Sequence, residues 1–233
     1  MKKASKGFTL VELLVVIAIL GILMVSLMPN ILGAVNKAQM SAMAKQGGDI
    51  IKEIITKSIE SESLWPRITN IGQDPDMISG NTFGTSTEYF KKLYDIDNQN
   101  SGDWEPFIDA KLECLWGNGV TPASSGTLQK ENIAWTIVAD AAEYSGDNIP
   151  ALITRNADTS LFAVSGQNDM SKNKNKINLE KYSAPFGKKG CIVVMKDGSA
   201  RSLPSRECRI RDIYKSQPTV NIPDGITLKY LEP

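Results

Sequence analysis

Lys6-Gly7-Phe8-Thr9-Leu10-Val11-Glu12-Leu13-Leu14-Val15-Val16-Ile17-Ala18-Ile19-Leu20-Gly21-Ile22-Leu23-Met24 is the stretch that decides how this chain is read. The apolar run continues to Met28. Among the 21 residues from Phe8 to Met28 the single ionisable side chain is Glu12. As a helix this run would extend about 31 Å, at about 1.5 Å per residue. That matches the hydrocarbon thickness of a bilayer, about 30 Å. A carboxylate inside a membrane span costs roughly a few kcal/mol or more, so Glu12 is expected to have a function.

Lys2, Lys3 and Lys6 precede the run. An ordinary secretory signal would have an apolar core of about 7–15 residues closed by a small-x-small site. This run is longer, and Ala42-Met43-Ala44 lies far past its end. A plain signal anchor would leave Glu12 unexplained. The leading lysines favour a cytoplasmic N-terminus by the positive-inside rule. Lys37 and Lys45 after the span keep that bias modest. The bulk of the chain is then expected outside the cytoplasm.

A short basic leader, Gly7, Phe8, Thr9, Leu10, Glu12 and a long hydrophobic run form a composite signal. It resembles the amino terminus of type IV pilin-like proteins, the pilins and the pseudopilins of type II secretion systems. The resemblance covers about the first quarter of the chain. It implies that a prepilin peptidase cuts between Gly7 and Phe8 and methylates the new amine of Phe8. It also implies that Glu12 of one subunit meets the Phe8 amine of its neighbour and sets the stagger of a filament. A free α-amine has an unperturbed pKa of about 7.7–8.0. At a helix N-terminus its charge adds to the positive dipole end, where a carboxylate is favourable. Glu12 could equally screen the terminus of its own helix, since both lie within about one turn. Electrostatics alone leaves both readings open.

Composition narrows the alternatives. Lys+Arg and Asp+Glu number 26 each in 233 residues, so the formal net charge is zero. Loss of residues 1–7 would remove three lysines and no acid, leaving −3. No overall basic excess points to nucleic acid. Histidine is absent, which removes Ser-His-Asp and Cys-His catalysis and the commonest zinc ligand. No phosphate-binding glycine loop or metal-ligand spacing is present. We therefore expect no catalytic residue, no metal and no cofactor. A membrane-anchored enzyme using paired carboxylates is the weakest of the readings.

The expected fold class is α+β, with a long membrane-spanning helix packed on a mostly antiparallel β-sheet head, as the resemblance implies. The divisions are a leader (1–7), a span (8–28), an amphipathic extension (29–62) and a globular head (63–233). Pro29 would end an ordinary helix, but in the family it resembles the helix commonly runs on, kinked or partly melted. Beyond it Ile31, Val35, Ala38, Ala42, Ile50, Ile51, Ile54, Ile55 and Ile59 recur at three- and four-residue intervals, as one buried stripe would. Gly47-Gly48 weakens the middle by roughly 1 kcal/mol per glycine, with a break into two helices as the alternative. Trp65-Pro66 stops the helix, and residues 67–84 read as loop.

In the head, 86–94 reads as a short helix. Residues 95–103 carry alternating oxygen side chains but fail the EF-hand pattern, so a solvated loop is expected. Strands are expected at 132–140, 151–154, 161–164 and 226–231. The Ser-x-x-Lys within 171–176 lacks its partner motifs and reads as a chance match on a surface loop. Asp197-Gly198 between the runs of 190–203 signals a hairpin with a two-residue type I′ turn. This hairpin and the segment 147–156, with Arg155 and Asn156, resemble a large pseudopilin-like group. Cys114, Cys191 and Cys208 allow three pairings. Many proteins of the resembled family staple this end of the head, which implies Cys191 with Cys208. Closing a loop of that length is worth about 3 kcal/mol in the chain-entropy model.

The expected function is thus a structural one: a pseudopilin of a type II secretion filament. The implied partners are other copies or related pseudopilins, prepilin peptidase, the inner-membrane assembly platform, and lipid before assembly, with no nucleic acid. The implied place is the inner membrane, crossed once. A major or minor pilin of a type IV pilus shares the same terminus and is the alternative.

Overall fold

The computed structural model describes residues 9–60, 65, 83–94, 112–123, 128–139, 146–164, 166–215, 219–222 and 227–233. A single α-helix, α1, runs Leu10–Glu60 with Pro29 inside it. The chain forms two compact units, Met1–Gln39 and Met40–Pro233.

In the first unit the helix is apolar all round. Every large apolar side chain from Leu10 to Val35 is exposed, between 47% at Val35 and 80% at Leu10. The helix is long and apolar enough to cross a membrane.

In the second unit α1 turns amphipathic. Met40, Met43, Ile50, Ile51 and Ile54 are buried, and with Gly47 they step along one face at three- and four-residue intervals. The stripe differs from the expected one: Ala42 and Ile59 are exposed, and Ile55 is 40% exposed. Met40 and Met43 occupy the face instead, because the register of burial follows Ile50 and Ile54 backwards by whole turns. The helix does not break at Gly47-Gly48. A Cβ on Gly47 would lie 2.6 Å from Val194 Cγ2 and 2.8 Å from Trp135 Cη2. The glycine is there to let the helix backbone approach the sheet.

That sheet has five strands: β1 (Trp135–Ala139), β2 (Pro150–Thr154), β4 (Gly190–Met195), β5 (Ala200–Pro204) and β7 (Lys229–Leu231). Their order is β5-β4-β2-β1-β7, and every pairing is antiparallel. All residues of β1, β2 and β4 are buried, so the three inner strands read as near-continuous apolar runs. The architecture is the expected α+β, with the amphipathic stretch of the long α1 lying on an antiparallel sheet. A second, two-stranded sheet pairs β3 (Gln167–Asp169) with β6 (Thr219–Asn221).

Helix α2 (Ser86–Leu93) lies where 86–94 was expected. Thr85 and Glu88 form a reciprocal capping box, a Thr-x-x-Glu signature visible in the sequence. Tyr89, Phe90 and Leu93 face inward, and Ser86 Oγ donates to the Trp135 carbonyl at 3.0 Å. Lys57 of α1 donates to the Leu93 carbonyl, closing the last turn of α2.

Three expectations fail locally. Residues 161–164 are not a strand: 160–162 form a 3-10 turn, with Phe162 N donating to Thr159 O at 2.9 Å. Asp158 accepts from Ser160 N at 2.9 Å and tightens that turn, so a short apolar run is spent on a loop that folds back. The Asp197-Gly198 hairpin joins β4 to β5 as expected, but through three residues. Met195 N donates to Ser199 O and Gly198 N to Met195 O, with Gly198 at φ 82°. This is the bulged three-residue form, which needs a left-handed residue at its third position only. The first strand is shorter than 132–140, because Lys130–Asn132 is a 3-10 turn closed by Asn132 Oδ1 accepting from Gln129 N at 2.9 Å. The last strand is Lys229–Leu231, paired with β1.

Candidate assembly site

The structure places Glu12 in the first turn of α1. Its Oε2 accepts from Thr9 N at 2.8 Å and from Thr9 Oγ1 at 2.7 Å. Thr9 Oγ1 in return accepts from Glu12 N at 3.3 Å. This reciprocal pair satisfies donors that every helix start leaves open. Within one chain Glu12 therefore screens its own helix terminus. Its Oε1 takes no hydrogen bond among the described residues, and a carboxylate can accept from about four directions. The expected processing residues Gly7 and Phe8 lie outside the described residues, as does the polar loop 95–103. Among the described residues no cluster of His, Cys, Asp or Glu could hold a metal ion.

Cys191, in β4, and Cys208, in the turn after β5, are both buried, as thiols whose sulfurs lie 3.1 Å apart. The hydrogen bond to Cys208 and then burial push the Cys191 thiol well above its ordinary pKa. The structure thus brings together the pair singled out by resemblance. Cys114 lies in the turn Leu112–Leu115.

Arg155 and Asn156 prove to be fasteners. Arg155 Nη1 donates to the carbonyls of Lys130 and Ile133 at 2.9 Å, and its guanidinium stacks 5.3 Å from the centre of the Tyr182 ring. Buried Asn156 Nδ2 donates to Gly187 O at 2.7 Å and to Gly190 O at 2.8 Å. Arg155 thus ties the segment before β1, and Asn156 the loop before β4, to the end of β2. Sequence alone offered the dipeptide but no hint of which carbonyls it would reach.

The prokaryotic N-terminal methylation motif matches residues 2–28. The chain is 26% identical over 146 residues to the type IV major fimbrial protein FimA of Dichelobacter nodosus, covering 58% of this chain and 83% of that protein. No solved structure matches it. Methylation motif, long apolar helix and antiparallel sheet together make this a type IV pilin-like protein.

Proposed function

We propose that this protein is a filament subunit, held in the inner membrane by the first half of α1. Prepilin peptidase releases it at Gly7–Phe8, and it then assembles through that same helix into a helical array of like subunits. The observation that carries this reading is Glu12, the one acid in the exposed apolar stretch 10–39 of α1, poised at its terminus with Oε1 taking no hydrogen bond among the described residues. While the subunit waits in lipid, Thr9 supplies donors that offset the cost of the embedded carboxylate. On assembly, the N-methylated amine of a neighbour's Phe8 takes the remaining lone pairs, in surroundings where the attraction far exceeds its value in water. Mass spectrometry of the native N-terminus should find N-methylphenylalanine at position 8. Glu12→Ala should leave that processing intact and abolish filament recruitment. A native chain still beginning at Met1, or normal recruitment of the mutant, would defeat the reading.

The finer assignment is a type II secretion pseudopilin, with its N-terminus cytoplasmic, its head periplasmic and an assembly platform as partner. It is favoured by the β4–β5 hairpin and the 147–156 segment. A pilus pilin is favoured by the similarity to a fimbrial protein. Immunogold labelling separates them: filaments confined to the periplasm fit the first, long surface fibres the second. We also propose a Cys191–Cys208 bridge in the exported head. A non-reducing peptide map should recover that pair, and Cys114 in the linked peptide would overturn it.

A further inference from the structure

Between Glu12 and Asn36 the chain carries two polar side chains, Ser26 and Asn30, and one proline, Pro29. Pro29 lies inside α1. It has no N–H, so the carbonyl four residues back, that of Val25, loses its helical donor. In a membrane-spanning helix such a freed carbonyl is satisfied by a local Ser or Thr, by a 3-10 or π adjustment, by water or by a neighbouring helix. The local hydroxyl is engaged elsewhere: Ser26 Oγ donates to the Leu23 carbonyl at 2.8 Å. No 3-10 or π turn interrupts α1 there. Met24, Val25 and Met28 around the carbonyl are apolar and exposed. Val25 also lies about 20 Å past Glu12 along the helix, inside a hydrocarbon layer of about 30 Å that holds water away. A neighbouring helix is the partner that remains.

Asn30 is an exposed amide with no hydrogen bond among the described residues, and its nitrogen has two protons to donate. Its position links it to the carbonyl. Glu12 and Asn30 are 18 residues apart, which is about five whole turns, so they project from one face of the helix. The filament reading pairs Glu12 with the Phe8 amine of a neighbour. Four positions separate those residues, so adjacent parallel helices stand about 6 Å out of step. The same offset carries Asn30 to the level of residue 26 in that neighbour. The Val25 carbonyl points along the axis towards residue 29, and its oxygen lies about 3 Å beyond its own Cα, level with residue 27. Donor and acceptor then differ in height by about 1.5 Å, within the reach of an Asn side chain.

We propose that the Asn30 amide of each copy donates to the Val25 carbonyl of the same neighbour that its Glu12 engages. The inference rests on the filament reading above and adds a second polar contact in the same register. In the waiting subunit the carbonyl is orphaned in lipid, while Asn30, about 27 Å from Glu12, stands at the far edge of the layer. Assembly joins them. Apolar contact alone lets helices slide, because lipid tails are as apolar as leucine. Two polar contacts about 27 Å apart on one face hold both stagger and rotation. Pro29 thus has a use: by emptying one acceptor it marks where the neighbour binds.

The test uses native filaments of the full chain assembled from two kinds of subunit, one with heavy nitrogen in its asparagines, the other with heavy carbon in its valine carbonyls. Magic-angle-spinning NMR then reports only contacts between copies. An Asn side-chain nitrogen should lie within hydrogen-bond distance of a Val carbonyl. That contact should vanish when the asparagine-labelled copy carries Asn30→Leu. In cells, Asn30→Leu should lower the yield of sheared filaments about three- to twentyfold, the worth of one interhelical hydrogen bond. Membrane insertion and processing at Phe8 are the controls and should not change. Filaments of unaltered protein that lack the contact, or whose Asn30 amide touches water only, would overturn the proposal while leaving the filament reading standing. Full filament yield from Asn30→Leu, or a contact that survives it, would do the same. Absence of filaments from the unaltered protein, or filaments indifferent to Glu12→Ala, would sink both.

Discussion

Residues 10–39 and residues 40–60 of α1 belong to the same helix and obey opposite rules. The first stretch contains two charges, Glu12 and Lys37; the second, shorter one contains six. In the first, large apolar side chains point in every direction and stay exposed; in the second, Ile50, Ile51 and Ile54 are fully buried. A helix hydrophobic all round needs apolar surroundings on every side, whereas a striped helix needs a core on one side and water on the other. The difference teaches that one element serves two solvents. The first stretch is written for lipid or a filament core, the second for a protein head. Burying each isoleucine of the second stretch stabilises the head by about 1.5–3 kcal/mol, while burial of the first stretch is deferred until something other than this chain covers it.

The largest effect that would break this comparison comes from placing the same acid in each stretch. Ile17→Asp puts a charge near the middle of the span, where insertion is disfavoured by about 2.5–3.5 kcal/mol. Membrane fractionation should show most of the chain uninserted, with a head that still resists protease. Ile51→Asp should insert normally. It buries an unpaired carboxylate among Ile50, Ile54 and the sheet, which costs several kcal/mol or forces the group to protonate, and protease should digest the head. If both variants fail alike, or both behave as wild type, the two stretches are not written for different solvents.

Much of this division is legible before any coordinates. The span, its lone Glu12, the sign of the leader and the isoleucines at 50, 51 and 54 follow from hydrophobicity and local spacing. The Asp197-Gly198 hairpin and α2 are equally local, since their signals lie within a few residues of one another. What sequence hides is long-range. The strand order β5-β4-β2-β1-β7 depends on pairings such as Ile137 with Leu231, far apart in the chain. The β3–β6 pair has only Gln167-Asn168-Asp169 and Thr219-Val220-Asn221 to announce it, and polar triplets have no strand signature. At the candidate site, the nearness of Glu12 to its own helix terminus was legible as proximity within a turn, while its reciprocal bonds with Thr9 came only with the structure. The pairing of Lys176 with Arg209 was not legible, because the two residues are joined only by the fold.

Glycine gives the finest contrast between the stretches. Read locally, Gly33 and Gly47 are equivalent weak points, and Ala at either should favour the helix by about 1 kcal/mol. The structure separates them. A Cβ on Gly33 meets nothing within 4 Å, whereas one on Gly47 would press on Val194 and on the Trp135 ring, both held within the sheet. Neither neighbour is the free end of a flexible chain, so the helix must lift or the strands must shift, at a typical overpacking cost of about 1–3 kcal/mol. Gly47→Ala should therefore destabilise the head by up to about 2 kcal/mol once the gain in helix propensity is set against that cost. Gly33→Ala should leave the melting of the head unchanged. Thermal unfolding of the full chain in detergent micelles reads both. A rise in melting temperature for Gly47→Ala would mean that its glycine is a mere flaw in the helix, and the close approach of α1 to β1 and β4 would lose its support.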